Sequence, residues 1–324
     1  MRDLLNTFYA IQISEEILIE DRVAFKSGNN IYFITLATNN KAIHMEQSFL
    51  AHYLVKKGYA HTAHPVPNHY GEWITNYRDE NYLVLKVIQL QENIPSEHGK
   101  ILAQFHQKNR AYAYEPQHIS SYGQWKNLWI DKLTSFEKKI IEEAENHKNN
   151  YYRLLMDVLP YIIGISENAI QYVQETNYEN RYDQTDQGTI TFQRYDDHLQ
   201  RPIIWHTDLV YDHIARDLAE FIRHQLIQDG EQAFNDVSVF LKNYQLIHPL
   251  SIFSWRLLYA RLIYPVHLFD LIEEGFVEKN FEKHFQQLQQ ITEKQTDYEH
   301  CLDYFFQRIG LDQDQMQIPV LNWF

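Results

Sequence analysis

The feature of this sequence that most constrains its fold is a change of hydrophobic pattern close to residue 92. Before that point the chain has mainly strand-type segments, and 22–26 and 31–37 flank a hairpin-turn sequence, Ser27-Gly28-Asn29-Asn30. Further strands are predicted at 72–77 and 82–90. The sequence therefore predicts a β-rich N-terminal lobe over residues 1–92.

One helix is predicted inside this β-rich lobe, at about 41–57. Phe49 and Leu50 lie on its apolar face, and Gly58 follows its last turn, where glycine commonly ends a helix. Glu46 precedes these two residues by three and four positions, so we expect it to share their buried face. A carboxylate in that position needs a partner.

From Pro95 onward the pattern is predominantly helical, which predicts a helical C-terminal lobe over residues 93–324. The helix around Ser254–Tyr259 is apolar on most sides and is predicted to be central and buried. Segments 188–194 and 202–205 are predicted to pair as a short β-hairpin among the helices, and the hinge is expected near 89–96. The remaining helices are predicted at about 122–146, 151–176, 214–228, 230–245, 249–274 and 279–308.

The charge of the chain excludes several classes of partner. Its 324 residues include 43 acidic and 29 basic ones, a formal charge of −14. Such a surface repels phosphate backbones and anionic lipid, so neither nucleic acid nor a membrane surface is expected as a partner. Val158–Ile165, the longest apolar run, is too short to span a bilayer, and no signal peptide is predicted. Cys301 is the single cysteine, which excludes an internal disulfide.

Glycine is scarce, at 10 of 324 residues. Loops that cradle phosphates use glycine because it lets backbone N–H groups approach the ligand closely. The sequence contains neither GxGxxG nor GxxxxGK[ST]. No standard phosphate-binding loop is therefore predicted.

A set of five ordered segments resembles the aminoglycoside phosphotransferase and choline kinase type of protein, and more closely the YutH group of spore coat-associated proteins in the CotS-related family. The segments are 99–106, 125–129, 212–223, 254–262 and 318–323. The resemblance implies an α+β, two-lobed, protein-kinase-like fold with a small β-rich N-lobe and a larger helical C-lobe. In this fold Asp217 would hold the backbone of the catalytic loop, which is a structural role.

The resemblance also indicates where catalytic residues would stand. Kinases use a lysine on the third strand to hold the phosphates and a helix glutamate to hold that lysine. Thr35 occupies the lysine position, with Lys26 and Lys41 as the flanking alternatives. Glu46 either corresponds to the helix glutamate or is a structural residue bonded to water or to a backbone N–H.

The catalytic loop of these phosphotransferases carries a histidine, a glycine, an aspartate and, five residues later, an asparagine. The alignment places Phe192, Gln193, Arg194 and Leu199 at these positions. Arginine stays cationic and accepts no proton, and leucine offers a metal no ligand. This double loss predicts an inactive catalytic loop.

Several possible metal ligands follow the loop. Asp208 or Asp212 stands at the Mg²⁺-binding aspartate of the family, and with Glu46 they are the nucleotide-binding candidates if activity survives. His206 and His213 are additional possible ligands, whereas Asp212 or His213 alternatively caps the following helix. His61, His64 and His69 are expected on a solvated loop. No metal site is predicted.

The expected function is that of a pseudokinase-like, non-catalytic structural or assembly protein of the spore coat, with no cofactor. The resemblance implies other coat proteins as partners, synthesis in the mother-cell cytoplasm and deposition on the spore coat, with a small-molecule substrate not expected. The 23 tyrosines and 18 phenylalanines suit either an adhesive surface or an aromatic core. The alternatives are a divergent phosphotransferase using ATP and Mg²⁺, or a nucleotide-binding regulator without turnover.

Overall fold

A computed structural model describes residues 1–37, 40–92, 97–178 and 185–320. The chain divides into two compact units. Unit 1 contains Met1–Ser120 and Thr189–Tyr211, and unit 2 contains Ser121–Gly188 and Asp212–Phe324. The two lobes predicted from the sequence are continuous segments that meet at 92/93, whereas each unit is made of two segments. Residue 93 lies outside the described residues, so the lobe boundary stays a prediction.

Unit 1 is built on a seven-stranded sheet with the order β1-β2-β3-β6-β4-β8, and β5 pairs with β6. Its helices are α1 (Arg2–Tyr9), α2 (Lys41–Lys56) and α3 (His98–Asn109). The strands of this sheet are β1 (Glu15–Ile19), β2 (Arg22–Ser27), β3 (Asn30–Leu36), β4 (Thr62–Pro65), β5 (Ile74–Tyr77), β6 (Glu80–Val87) and β8 (Ile204–Trp205).

Most of the predicted elements of unit 1 are confirmed. Strands β2, β3, β5 and β6 and helix α2 lie within a few residues of their predicted positions. Helix α1 and strands β1 and β4 were not predicted. The expectation of a solvated histidine loop is wrong for His64, which lies on β4 and is buried because its strand is covered on both sides.

The predicted hairpin between 188–194 and 202–205 is wrong in its pairing. Strand β7 (Thr189–Phe192) pairs with β9 (Leu209–Asp212) instead. Strand β8 runs parallel to β4, with Trp205 opposite Ala63. The chain after the candidate catalytic loop therefore joins the sheet of the N-terminal segment, because β8 completes a hydrophobic cluster there.

Unit 2 is helical. Its helices are α4 (Trp125–Asn146), α5 (Asn150–Tyr178), α6 (Ala215–Asp229), α7 (Phe234–Gln245), α8 (Ile252–Ile263), α9 (Val266–Glu278), α10 (Phe281–Asp303) and α11 (Phe305–Arg308). Every residue of α8 from Phe253 to Ile263 is buried, which confirms the prediction of a central helix. No helix in the described part of the chain has the length and apolarity needed to cross a bilayer.

Two long helices predicted from the sequence are each divided in the structure. The segment predicted as 249–274 forms α8 and α9, with Pro265 between them. Proline has no N–H to donate and disfavours helical geometry in the residue before it, which explains the break. The segment predicted as 279–308 forms α10 and the short α11.

Candidate functional site

The turn between β1 and β2 carries two acids in place of a glycine-rich loop. Glu20 and Asp21 both adopt positive φ, 48° and 59°, as a two-residue hairpin turn with primed geometry requires. In protein kinases a glycine-rich loop covers the phosphates of the nucleotide. Two carboxylates in this turn oppose a polyphosphate electrostatically.

Trp205 on β8 holds this turn in place. Its indole N–H donates a hydrogen bond to the Glu20 carboxylate at 3.1 Å. The guanidinium carbon of Arg22 lies 4.1 Å from the centroid of the Trp205 ring, a cation–π contact. The ring is buried and meets Phe33 edge-on, with 4.9 Å between centroids. The turn, β3 and β8 are thus joined through one side chain.

The sheet face beneath this turn is filled by a hydrophobic cluster of unit 1. Its members come from β2, β3, β4, β6 and the segment leading into β8, and all are less than a tenth exposed. Half-buried Ile17, Ile19 and Leu90 pack against them. The buried members are Ala24, Ile31, Phe33, Ala63, Leu85, Val87, Ile203 and Trp205. Side chains of the protein itself therefore occupy this face.

The third strand presents no cation at the expected position. Thr35 lies on β3, opposite Leu83 of β6, and is half-buried. Of the two flanking lysines, Lys26 forms an exposed ion pair with Glu15 at 3.4 Å. Lys41 lines a separate cavity of about 380 Å³ beside α2.

Glu46 binds backbone. Its carboxylate accepts hydrogen bonds from the N–H groups of Gln117, His118 and Ile119, at 2.8, 2.8 and 3.1 Å. Three such bonds occupy both oxygens, so Glu46 ties α2 to the segment after α3. The expectation that Glu46 shares a buried face with Phe49 and Leu50 is wrong for Phe49, which is 51% exposed, whereas Leu50 is buried.

The candidate catalytic loop is packed by apolar side chains. Phe192 is fully buried and stacks on Phe105, with 5.1 Å between ring centroids, and Leu199 is buried as well. Arg194 donates to the carbonyl oxygen of Gln193 at 2.8 Å. Phe192, at the histidine position, is thus held by packing, and Arg194, at the aspartate position, is held by a hydrogen bond to the backbone.

Acidic residues beside this loop form a charge cluster with His198 and Arg201. His198 lies between Asp196, at 3.1 Å, and Asp208, at 3.5 Å. Arg201 contacts Asp196 at 2.8 Å and Asp197 at 2.5 Å. Burial favours neutral His198, but its hydrogen bonds to Asp196 and Asp208 raise its pKa to about 9. Ligand atoms of Asp196, Asp197 and His198 lie within 4.8 Å of one another, close enough to share a cation.

His206 is buried next to this cluster, in the turn after β8. Neither of its ring nitrogens has a hydrogen-bond partner among the described residues. Its ring centroid lies 6.2 Å from that of His44 on α2, and burial lowers its pKa to about 4. Gln47, one turn further along α2, donates to the carbonyl oxygen of Thr207 at 2.9 Å. This region of α2 therefore packs on the 206–208 turn with a neutral histidine.

Asp212, the other candidate for the metal-binding aspartate, is part of a buried network in unit 2. Ser121 and Trp125 donate to its carboxylate at 2.6 and 2.7 Å, and Arg216 and Arg261 also bind it. Burial alone would raise the pKa of Asp212, but the two guanidinium groups hold it well below its usual range. Both oxygens are occupied inside the helical core.

A second buried acid, Asp186, was not predicted from the sequence. It accepts hydrogen bonds from Ser251 and His213, at 2.7 and 3.2 Å. The other ring nitrogen of His213 accepts the N–H of Ala215, so His213 does bond the first turn of α6. Glu220 pairs with Arg223 at 2.9 Å. No local pattern marks Asp186, because its partners are distant in sequence.

Solved structures similar to this one are small-molecule kinases. They include an aminoglycoside phosphotransferase from Alicyclobacillus acidocaldarius, with a TM-score of 0.61, 12% identity and coverage of 92% of this chain and 93% of that chain. An amicoumacin kinase in complex with AMP-PNP and Ca²⁺ has a TM-score of 0.57, 12% identity and coverage of 96% and 94%. This similarity shows a kinase-like fold of the aminoglycoside phosphotransferase type, as predicted.

The sequence comparisons are more specific. The family described as “Spore coat putative kinase YutH” matches residues 2–305. The endospore coat-associated protein YutH of Bacillus subtilis (strain 168) is 30% identical over 308 residues, which are 92% of this chain and 90% of that protein. The chain therefore belongs to the YutH family of spore coat proteins.

Proposed function

We propose that this chain is a non-catalytic component of the spore coat that uses a kinase-like fold as a scaffold. The observation that carries the proposal is the acidic Glu20–Asp21 turn held on Trp205. The indole and its hydrophobic cluster occupy the sheet face beneath the turn, and the turn itself presents negative charge. These features do not fit a nucleoside triphosphate.

The residues around the candidate catalytic loop support the same proposal. Magnesium in phosphotransferases is held by carboxylates together with substrate phosphates. Here Asp196, Asp197 and Asp208 are paired with His198 and Arg201, which offset two of their three negative charges. Arg194 adds a permanent cation where a proton acceptor is needed.

Family membership supports the place of action. The Bacillus subtilis relative is endospore coat-associated. We propose that this chain is likewise made in the mother-cell cytoplasm and deposited on the coat. There it would contribute binding surfaces for other coat proteins.

A second candidate function is that of a divergent ATP-dependent phosphotransferase. The kinase structures that this chain resembles support it, as does the close approach of Asp196, Asp197 and His198. A nucleotide-binding regulator without turnover is the intermediate case.

Calorimetric titration of the full chain with ATP and Mg²⁺ separates these functions. We expect no heat of binding up to about 1 mM ATP. That result would limit any binding free energy for the nucleotide to less than about 4 kcal/mol. Binding without ADP formation would identify a regulator and overturn the scaffold proposal. ADP formation that depends on an added amine or sugar would establish the phosphotransferase.

A loop variant tests the loss of chemistry directly. Arg194→Asp restores a carboxylate, and Arg194→Gln removes the charge without restoring it. Neither variant is expected to hydrolyse or transfer phosphate, because Trp205 and the acidic turn remain in place. Phosphotransfer by Arg194→Asp but not by Arg194→Gln would contradict the proposal.

A further inference from the structure

A cavity of about 690 Å³ opens in unit 1 between α2 and the segment 111–116. It is separate from the Trp205 cluster. Met45 and Phe49 of α2 and Tyr114 of the facing segment line it, and they are 53%, 51% and 76% exposed. Large apolar side chains exposed around a concavity are typical of a binding surface.

Tyr53, Tyr112 and Tyr114 line this cavity together with Phe49. The ring of Tyr112 meets that of Tyr53 edge-on, with 4.9 Å between centroids. Tyr114 and Tyr211 each lie 6.2 Å from Tyr112, measured between ring centroids. Aromatic faces attract cations through the negative potential of the rings, and the ammonium of Lys57 lies 5.2 Å from the centroid of the Tyr53 ring.

Two carboxylates add to this negative potential. Burial, together with the charge of Glu46, raises the pKa of Tyr112 to about 12. Burial and the charge of Glu115 raise the pKa of Tyr211. Lys56 also lines the cavity, so two acids and one base leave the lining net negative. The cavity therefore favours a positively charged occupant.

Tyr53 contributes its ring to this cavity. It lines the cavity, and its phenol oxygen is buried without a hydrogen-bond partner in the described part of the chain. The ring of Tyr53 is therefore the part of this side chain that an occupant contacts.

We propose that this cavity is a docking site for a partner protein that inserts a lysine or arginine side chain. The alkyl stem of that side chain contacts Met45 and Phe49, and its cationic head lies on the tyrosine faces near Glu115. The inference rests on the proposed scaffold function, since it names the surface through which a coat partner binds.

Peptide titration followed by NMR of the isotope-labelled full chain tests the site. We expect acetyl-Ala-Lys-Ala-amide to shift resonances of residues 45–56 and 111–116. The matched norleucine peptide, which keeps the stem and lacks the charge, is expected to bind about five-fold more weakly. Equal binding of the two peptides, no binding, or shifts confined to other segments would overturn the inference.

Variants identify the residues responsible. Glu115→Gln is expected to weaken the binding of the lysine peptide about three-fold and to leave the binding of the norleucine peptide unchanged. Phe49→Ala weakens both peptides, whereas the exposed Leu246→Ala in unit 2 is the matched control and changes neither. If n-butylamine bound as tightly as the lysine peptide, the proposal that the occupant is a partner protein would be wrong. The cavity would then be assigned to a free amine.

The two proposals fail separately. A nucleotide titration of the same labelled sample reports on the Trp205 cluster, and the peptide titration reports on α2. If the chain bound nucleotide and also bound the peptide, only the proposed scaffold function would be wrong. If the chain bound neither the peptide nor nucleotide, only the proposed docking site would be wrong.

Discussion

Single side chains determine the charge state of the candidate catalytic loop. Asp196, Asp197 and Asp208 would repel one another at this spacing if they had no cations. His198 and Arg201 lie among them and bind all three. His198 and Arg201 therefore offset two of the three negative charges of a group of acids that could otherwise hold a metal. His198 is the member of the cluster whose charge changes within an accessible pH range.

Replacing His198 by Gln tests its charge. The folded-state pKa of about 9 lies above the ordinary value of His, so the charged pairing stabilises the protein fully below about pH 6.5 and is lost as pH rises through 9. The difference in unfolding free energy between wild type and His198→Gln should fall by about 2 kcal/mol between about pH 6.5 and 9.5. Urea unfolding at both pH values measures it. A difference that is constant or grows with pH would contradict the assignment.

At the scale of elements, two helices of unit 2 pack so closely that a residue without a side chain is needed at one position. Gly275 on α9 faces the buried ring of Tyr151 on α5, and a Cβ built at Gly275 would lie 3.0 Å from the Tyr151 Cζ atom. Tyr151 also stacks on Phe281 of α10, so its ring has little freedom to move. A Cβ built at Gly164, in the middle of α5, would have no neighbouring atom of the described chain within 4 Å.

These two glycines give a matched pair of alanine substitutions. Gly275→Ala should destabilise the protein by about 1–3 kcal/mol, because the core has no space for the added carbon. Gly164→Ala should stabilise it by about 0.5–1 kcal/mol, because alanine is the better helix former. Thermal and urea unfolding measure both changes. Stabilisation by Gly275→Ala would show that α5 and α9 do not pack in this way.

Tyr151→Phe provides a control for the first substitution. Removing the phenol oxygen relieves the crowding, so the cost of Gly275→Ala should be smaller in the Tyr151→Phe background. An unchanged cost in the double variant would place the strain elsewhere.

For the whole molecule, neutral histidines that are buried or half-buried are a source of pH sensitivity. Burial lowers the pKa of each to about 4, and the group spans both units. The folded chain resists protonating these side chains, whereas the unfolded chain takes up protons below about pH 6.5. The histidines concerned are His61, His98, His206 and His267.

Acid is therefore expected to destabilise the protein well above the range in which carboxylates titrate. The unfolding free energy should fall by at least about 2 kcal/mol between pH 7 and about pH 5, because protons bind preferentially to the unfolded state. The added pairing of His198 at lower pH offsets only a small part of this loss. Urea unfolding across this range measures the change, and equal or greater stability at pH 5 would refute it.

Local sequence patterns determined much of the fold. Hydrophobic periodicity predicted β2, β3, β5, β6, α2 and the buried α8, since spacing along the chain directly sets which face a side chain occupies. The identities of Thr35, Arg194 and Leu199 could likewise be read from the sequence, and they support the proposed loss of phosphotransfer. Short elements such as β4 and β8 have too few residues to show a period.

Long-range contacts were decided only by the tertiary structure. Trp205 meets the Glu20 turn, Asp212 meets Arg261, and β8 joins β4 across large sequence separations. The sequence carries no local signal for such partners, because a side chain's hydrogen bonds and charge neutralisation depend on what folding brings beside it. For the same reason Asp208 is recognisable from the sequence as a candidate ligand, whereas its pairing with His198 required the folded chain.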